Sequence, residues 1–510
     1  MEKFILSEAH LKKRAQKKHF PLRYDTLGDP IMFEMLPDEY FDVYSRFPDE
    51  VDKVIFDAMY AGDWHSLYDS EILPSFRSPW MARFRKSGYD LFGEWERIVH
   101  ERGKEFWLTH RISEVDISLD TNPVPIKDEH PEWFIPAFGF RMNNMAVPEM
   151  RAHKLRILGE VMRKYDFDGL DIDFERHTPV LPVGQQWEMR ENLTDFMRSL
   201  RRLTLEIAKE KGKVIMLSAR IPDCIKGCHE DGIDIETWIF EDLVDCLTLG
   251  SRSFDVKVEE FRALSDEIQL YACYDPHHTV DGYFAPSVEV IRGVWYSHRQ
   301  RGADGVEYFN WSGHGNPEVI ERLKKAAFEY GMKPGCTFEF ECAKEDFTGA
   351  YDAEFLKKQN KTYVIDRKGG YPWGIGYGNR NDDRQLPKAI ENDGEVQLYV
   401  AENAANAKSA TLNLLFAELD ELPEVYFNGR KISVSANPHK DPQVTTCDTV
   451  PTSGRGVYEP LFKGIDRSKA CTMLTADLTD TEAKIGYNSI RIVTKKPVSL
   501  EKAELEIVLN

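Results

Sequence analysis

The chain has 510 residues, and because one hydrophobic core rarely serves more than roughly 250–300 residues, we expect two domains. Its 42% hydrophobic and 30% charged residues are typical of a folded globular protein and exclude a disordered chain. The formal net charge of −20 repels nucleic-acid phosphates and anionic membrane surfaces, so we expect neither as a partner.

The amino-terminal stretch MEKFILSEAHLKKRAQKKHF contains no apolar run long enough for a signal peptide, and no window reaches the roughly 20 apolar residues of a membrane span. We therefore expect a cytoplasmic protein, or a periplasmic or secreted one if a leader has been removed. The cysteines are scattered, several of them within apolar runs, which predicts buried thiols rather than disulfides. No metal site and no cofactor is predicted.

Residues 53–311 alternate between short runs of β-forming residues and longer segments with apolar residues at helical spacing. The longer segments include DLFGEWERIVHERG, PEMRAHKLRILGEVMRKY, LTDFMRSLRRLTLEIAKEKG and SVEVIRGVWYSHRQRG. Eight repeats of strand and helix predict an α/β fold, a closed TIM or (β/α)₈ barrel. The eight predicted strands are 53–59, 105–112, 137–143, 167–175, 214–221, 244–251, 268–275 and 305–311.

After about residue 335 the pattern changes to short alternating runs separated by turns, such as GEVQLYVAE and SATLNLLFAEL. In VYFNGRKI, Asn428 and Gly429 predict a β-hairpin, since both tolerate the positive φ of a type I′ turn. We therefore predict a barrel domain with an amino-terminal extension over residues 1–335. An all-β sandwich or jelly roll over residues 336–510 follows it and is expected to brace the barrel.

The predicted fourth strand, within YDFDGLDIDFERH, alternates acidic and apolar residues. Side chains alternate faces along a strand, so Asp171, Asp173 and Glu175 share one face and apolar residues fill the other. In a barrel the acidic face points inward, with Glu175 nearest the carboxyl end, where barrel enzymes hold their active sites. Crowded carboxylates in a poorly solvated interior raise at least one pKa, as a general acid requires.

These residues resemble a known motif. Asp168, Asp171, Asp173 and Glu175 reproduce the D-x-x-D-x-D-x-E pattern of family-eighteen chitinases, and Trp311 at the end of the last strand is similar as well. The resemblance implies a glycoside hydrolase in which Glu175 is the acid.

A second resemblance covers about residues 100–310. VPEMRAHKL, KYDFDGLDIDFERH and GIDIETWIFEDLVDCLTLG follow one another as in a group of bacterial glycoside hydrolase-like barrels that carry a β-sandwich tail. Asp173 and Arg176 match that group's motif best, so the choice of acid between Glu175 and Asp173 stays open.

A glycosidase of the usual kind needs a second carboxyl group. Asp275 after the seventh strand is the predicted opposite carboxylate, while Glu307 lies early in the eighth and could instead pair with an interior arginine. Polar and aromatic side chains at strand ends are suited to sugar hydroxyls and sugar faces. The predicted substrate-binding residues are Asp171, Arg111, Arg141, Asn143, Arg176, His177, Arg220, His277, Glu307, Asn310 and Trp311.

The arginines allow two interpretations. They could clamp an acidic sugar bidentately, or they could neutralise Asp171 and Asp173, which we favour slightly.

The resulting hypothesis is a glycoside hydrolase that cleaves an oligo- or polysaccharide by carboxylate acid/base catalysis, with Glu175, Asp173 and Asp275 as catalytic residues. The expected partner is a carbohydrate substrate, and the oligomeric state is left open. Two alternatives are a non-catalytic carbohydrate-binding barrel and a metal-dependent barrel lyase or isomerase that would use the same acids as ligands.

Overall fold

The computed structural model describes residues 3–17, 19–24, 37–60, 64–113, 122–137, 140–176, 178–250, 254–275, 283, 286–311, 318, 321, 348–350, 352–367, 385–417, 419–439, 471–479 and 483–509.

Eight parallel strands form a closed barrel, in which each strand pairs with the next along the chain and the eighth pairs with the first. The predicted (β/α)₈ barrel is therefore confirmed. The barrel strands are β1 (Pro21–Tyr24), β2 (Lys53–Asp57), β3 (Glu105–Arg111), β4 (Gly169–Asp173), β5 (Met216–Ile221), β6 (Cys246–Leu249), β7 (Gln269–Tyr274) and β8 (Gly305–Trp311).

The prediction that residues 137–143 form a barrel strand is wrong. Phe134–Ala137 and Phe140–Asn143 pair as an antiparallel ribbon that is separate from the barrel. The missing strand is β1, which lies in the stretch predicted as an amino-terminal extension. With only four residues, one of them Pro21, β1 is too short for the alternation of Leu22, Arg23 and Tyr24 to reveal a strand. The two errors offset each other, and Gly169–Asp173 is still the fourth strand.

The four predicted helical segments are confirmed. The longest helix ends at Gly212, whose φ of 67° is the left-handed conformation that glycine adopts without strain. No helix in the described part of the chain combines the length and apolar character that a membrane span needs. The described α-helices are α1 (Glu8–Arg14), α2 (Pro37–Tyr44), α3 (Pro79–Lys86), α4 (Leu91–Glu101), α5 (Ile126–Glu129), α6 (Pro148–Lys164), α7 (Glu191–Lys211), α8 (Ile225–Glu230), α9 (Ile235–Phe240), α10 (Val258–Leu264), α11 (Val288–Gln300) and α12 (Ala353–Leu356).

The amino-terminal part of the barrel interior is apolar. Ile55, Trp107, Met216, Cys246 and Tyr271 form one buried cluster, with one side chain from each of five strands. The prediction of a buried thiol is confirmed for Cys246, and all five described cysteines are buried.

The Trp107 ring requires a glycine on the neighbouring strand. Gly169 pairs with Trp107, and a Cβ atom built on Gly169 would lie 2.4 Å from the indole ring. The first residue of β4 therefore leaves space for the apolar cluster below the acids of the same strand.

The carboxyl-terminal region contains two antiparallel sheets, as predicted for a sandwich. In the hairpin between β13 and β14, Asn428 and Gly429 have φ values of 48° and 81°, which confirms the predicted turn. The predicted boundary near residue 335 lies outside the described residues. The strands are β9 (Lys361–Val364), β10 (Lys388–Ile390), β11 (Asp393–Val400), β12 (Ser409–Ala417), β13 (Glu424–Phe427), β14 (Arg430–Ile432), β15 (Ser435–His439), β16 (Cys471–Asp477), β17 (Gly486–Val493) and β18 (Val498–Val508).

One sheet has the order β9-β18-β12-β16-β15, with β10 also paired to β18, and the other has the order β11-β17-β13-β14. The sheets contact the barrel through α11. Gly293 of α11 lies so close to β9 that an added Cβ atom would stand 2.2 Å from the Thr362 carbonyl oxygen. Just after α11, the Arg301 guanidinium lies over the Tyr399 ring, 5.1 Å from its centroid, and pairs with Asp255 at 2.7 Å.

We predict that Gly169→Ala destabilises the fold by about 1–3 kcal/mol, because the new methyl group overlaps a fully buried tryptophan ring. Urea unfolding at neutral pH measures the change. The control is Gly159→Ala in α6, where the nearest atom to the new methyl is the mobile end of Arg163. That variant should keep or slightly gain stability, and equal stability of both variants would contradict the packing argument.

Candidate functional site

Above the apolar cluster, a buried ion network joins three barrel strands. Arg23 of β1 donates through Nε to Glu307 of β8 at 2.7 Å, and its Nη1 lies 2.8 Å from Asp171 of β4. The hydroxyl groups of Thr109 and Thr248 each donate to one of these carboxylates, at 2.9 Å. All five side chains are buried, so one arginine and two hydroxyl groups stabilise two carboxylates away from water.

One layer nearer the carboxyl end, Asp173 is held in its ionised form. Strand pairing places Arg111 of β3 and Arg220 of β5 on either side of it. Burial raises the pKa of Asp173, but the charges of Arg220, Arg23 and Arg111 outweigh that effect and lower it below the ordinary value.

The Oδ1 atom of Asp173 also organises the chain that follows. It accepts hydrogen bonds from Arg220 Nε at 3.0 Å, from the backbone N–H of Glu175 at 2.9 Å and from that of Arg176 at 3.1 Å. The carboxylate thus fixes the turn by which the chain leaves β4, and with it the backbone position of Glu175.

Glu175 is in the opposite electrostatic state. Its side chain is 0% exposed, and neither carboxyl oxygen has a hydrogen-bond partner among the residues that the structure describes. Burial raises the pKa of Glu175 well above its usual value; Arg220 opposes this rise, whereas Asp223, Asp231 and Asp173 add to it. Two carboxyl groups two residues apart therefore differ in protonation, with Asp173 charged and Glu175 neutral to a higher pH than an ordinary glutamate.

Of the remaining predicted residues, several lie at this end of the barrel. Asp275 directly follows β7 and is fully buried. Asn143, on the ribbon, donates to the carbonyl oxygen of Ile112, which follows β3. Arg176 follows Glu175 in the turn held by Asp173.

Other predicted residues are engaged elsewhere. Glu307 belongs to the ion network of Arg23, and Arg141 on the ribbon pairs with Asp128 at 2.6 Å. The Trp311 ring meets Tyr308 edge-on at 5.5 Å and is almost fully buried, as a packing residue is. His177 and His277, together with the side chain of Asn310, lie outside the described residues.

Sequence reasoning missed three residues of this region: Arg23, Asp223 and Asp231. Arg23 was missed because the strand that carries it, β1, was not predicted. Asp223 stands three residues after Arg220 in ARIPD, where a polar residue just beyond a strand was a usable signal. Asp231 follows a helix and carried no signal of its own.

Within the described ranges, no three His, Cys, Asp or Glu side chains form a group that could hold a metal ion. His229, which follows Cys224 and Cys228 in the sequence, pairs with Glu236 at 3.0 Å.

No protein-family model matches the chain, and no curated protein sequence matches it. Among solved structures, it is similar to a cycloisomaltooligosaccharide glucanotransferase from Paenibacillus sp., with 8% identity over 96% of this chain and 57% of that one, at a TM-score of 0.33.

Two further solved structures are similar. They are a GH36 α-galactosidase from Geobacillus stearothermophilus (11% identity, 91% and 56% coverage, TM-score 0.36) and an α-L-fucosidase from Paenibacillus thiaminolyticus (14% identity, 62% and 49% coverage, TM-score 0.38). The chain spans about half the length of these proteins. At such identities and TM-scores, the matches identify neither a substrate nor a catalytic residue.

We predict that Arg23→Met destabilises the fold by about 3–5 kcal/mol at pH 7, because it leaves Asp171 and Glu307 buried without their counter-charge. Urea unfolding at pH 7 measures the loss. Arg491→Met, which breaks an exposed pair with Asp393, is the control and should change stability little.

We also predict that Glu175→Gln gains stability relative to the wild type as the pH rises. The raised pKa means that the folded protein keeps a proton which the unfolded chain has lost, so the contribution of Glu175 is full below about pH 4 and falls as the pH rises toward the folded pKa. The difference in unfolding free energy between Glu175→Gln and the wild type should grow by at most about 1.4 kcal/mol per pH unit. Unfolding curves between pH 4 and 8 test this, and a constant difference would contradict it.

Proposed function

We propose that this chain is a glycoside hydrolase that cleaves a glycosidic bond of an oligo- or polysaccharide at the carboxyl end of its barrel. One observation carries the proposal: Asp173, at the end of β4, is bound by Arg220, whereas Glu175, two residues beyond, is fully buried without a hydrogen-bond partner among the described residues, and the pKa values of the two acids shift in opposite directions. A neutral carboxyl group beside an ionised one is the combination that glycosidic cleavage requires.

In this proposal Glu175 is the general acid. Its proton passes to the glycosidic oxygen as the bond to the anomeric carbon breaks, and the charge of Asp173 stabilises the positive charge that develops on the sugar ring. Asp275, at the carboxyl end of β7, is the proposed opposite carboxylate that acts on water or on the anomeric carbon.

The charges in the barrel favour a neutral sugar. Arg23 faces Asp171 and Glu307, while Arg220 and Arg111 act on Asp173. Since these arginines are matched by carboxylates of the protein, an acidic substituent on the sugar would compete with existing ion pairs.

The full burial of Glu175 adds a requirement. A substrate reaches its carboxyl group only if a covering segment moves. One described segment that packs nearby is the loop 178–190: a Cβ atom added to Gly232, next to Asp231, would lie 2.4 Å from the carbonyl oxygen of Gln186.

The test is turnover of a panel of aryl glycosides and polysaccharides by the wild type and by Glu175→Gln. We expect the variant to lose about 10²- to 10⁴-fold in kcat on substrates with poor leaving groups, because these depend on proton donation. The loss should be smaller on aryl glycosides whose leaving group departs without a proton. The matched control is Glu402→Gln, a carboxyl with a raised pKa in the sandwich, which should keep full activity.

Near-normal turnover by Glu175→Gln on all substrates would reject the assignment. Calorimetric binding of oligosaccharides without any turnover would favour the non-catalytic barrel, and loss of activity with a chelator would favour the metal-dependent one.

A further inference from the structure

Proton donation by Glu175 leaves a negative charge where the protein disfavours one. The side chain is 0% exposed, its oxygens lack hydrogen-bond partners within the described part of the chain, and three acids, Asp173, Asp223 and Asp231, oppose its ionisation. The thiol of Cys228 in α8 also faces it. Such a site readily holds the neutral acid, but a carboxylate formed there needs a hydrogen-bond donor to stabilise it.

Arg220 carries an unused donor beside this position. Its side chain is 0% exposed, Nε binds Asp173 at 3.0 Å, and the guanidinium lies 4.0 Å from the centroid of the Phe309 ring. Its Nη2 has no hydrogen-bond partner in the described ranges. The backbone N–H of Phe174 donates to the carbonyl oxygen of Arg220 at 2.9 Å, which continues the pairing of β4 and β5 up to the residue before Glu175.

Asp223 is the acid that opposes ionisation of Glu175 most strongly. It is 0% exposed and lies two residues beyond β5, where its carbonyl oxygen accepts a hydrogen bond from the backbone N–H of Lys257 at 2.9 Å. Gly250 has a φ of 72°, and an added Cβ atom would stand 2.9 Å from the Asp223 Cβ. The chain after β6 therefore packs directly on Asp223 and restricts its position.

We propose that Arg220 and Asp223 are positioning residues that control the two states of Glu175: Asp223 favours the neutral acid before proton donation, and Arg220 Nη2 binds the carboxylate afterwards. This inference rests on the proposed function and deepens it.

In the proposed proton donation, each bond that forms is matched by one that breaks. The Glu175 proton forms a bond to the glycosidic oxygen, which keeps the electron pair of the breaking bond to the anomeric carbon. Glu175 becomes a carboxylate and accepts a hydrogen bond from Arg220 Nη2. Water, the second substrate of hydrolysis, supplies the hydroxyl group to the sugar and the proton that restores Glu175. Arg220 can serve both acids because its Nε stays on Asp173 throughout.

The experiment measures kcat/KM against pH on a substrate identified from the panel of glycosides, and follows the alkaline limb of that pH profile. Asp223→Asn removes a negative charge, so we expect the limb to move down by about one pH unit or more. Arg220→Gln removes the stabilising cation, so the limb should move up by a similar amount. Arg220→Lys keeps the charge and should restore most of the wild-type position.

The controls are Asp393→Asn and Arg491→Gln, which change a matched but exposed pair in the sandwich and should leave the limb in place. Because Arg220→Gln also leaves Asp173 unpaired, its folding is checked by thermal unfolding. If it does not fold, Asp223→Asn and Arg220→Lys still decide the inference, since they keep that pair.

A second readout needs no substrate. The infrared band of the protonated Glu175 carboxyl, assigned by its absence in Glu175→Gln, is followed against pH in each variant. If Glu175→Gln abolishes turnover but neither limb nor band moves in the variants, the proposed function stands and this inference is overturned. If no glycoside is cleaved but the band moves in opposite directions for Asp223→Asn and Arg220→Gln, the proposed function fails and the control of Glu175 by these residues is supported.

Discussion

The need to neutralise charge inside a closed barrel governs this structure. Arg23 binds Asp171 and Glu307 across the interior, and one layer higher Arg220 binds Asp173. A buried carboxylate without such a partner would cost several kcal/mol. Each of these three acids lies beside an arginine from another strand. The same contacts connect β1, β4, β5 and β8, which lie far apart along the chain.

The proposed chemistry depends on the different numbers of arginines beside Asp173 and Glu175. Asp173 has arginines on both neighbouring strands, whereas Glu175, two residues later, has three acids near it and one arginine already bound to Asp173. The barrel thus supplies enough positive charge to favour the ionised form of Asp173, whereas Glu175 keeps its proton to a higher pH than an ordinary glutamate. One short segment of chain thereby presents an ionised and a protonated carboxyl group side by side, without requiring a separate element for each.

The carboxyl-terminal sheets pack against the outside of the barrel. The carboxyl-terminal sheets approach α11 so closely that Gly293 meets the backbone of β9, and Arg301 joins Asp255 of the barrel to Tyr399 of the sandwich. These contacts are of the kind expected if the sheets brace the barrel. Away from α11, the hydroxyl group of Tyr283, in the segment after β7, donates to Glu504 of β18 at 2.9 Å.

The sequence by itself determined the fold class, the carboxyl-terminal hairpin and the inward face of β4, because each depends on local periodicity or on turn residues that neighbours in the chain reveal. It also singled out Asp171, Asp173 and Glu175. Only the tertiary structure decided which of them are paired. Arg23 is far from all three in sequence, and Asp223 acts across strands, so no local pattern could show that the pKa of Asp173 is lowered and that of Glu175 is raised. The reason is that protonation in a buried site depends on charges brought together by folding, whereas periodicity reports only which way a side chain points.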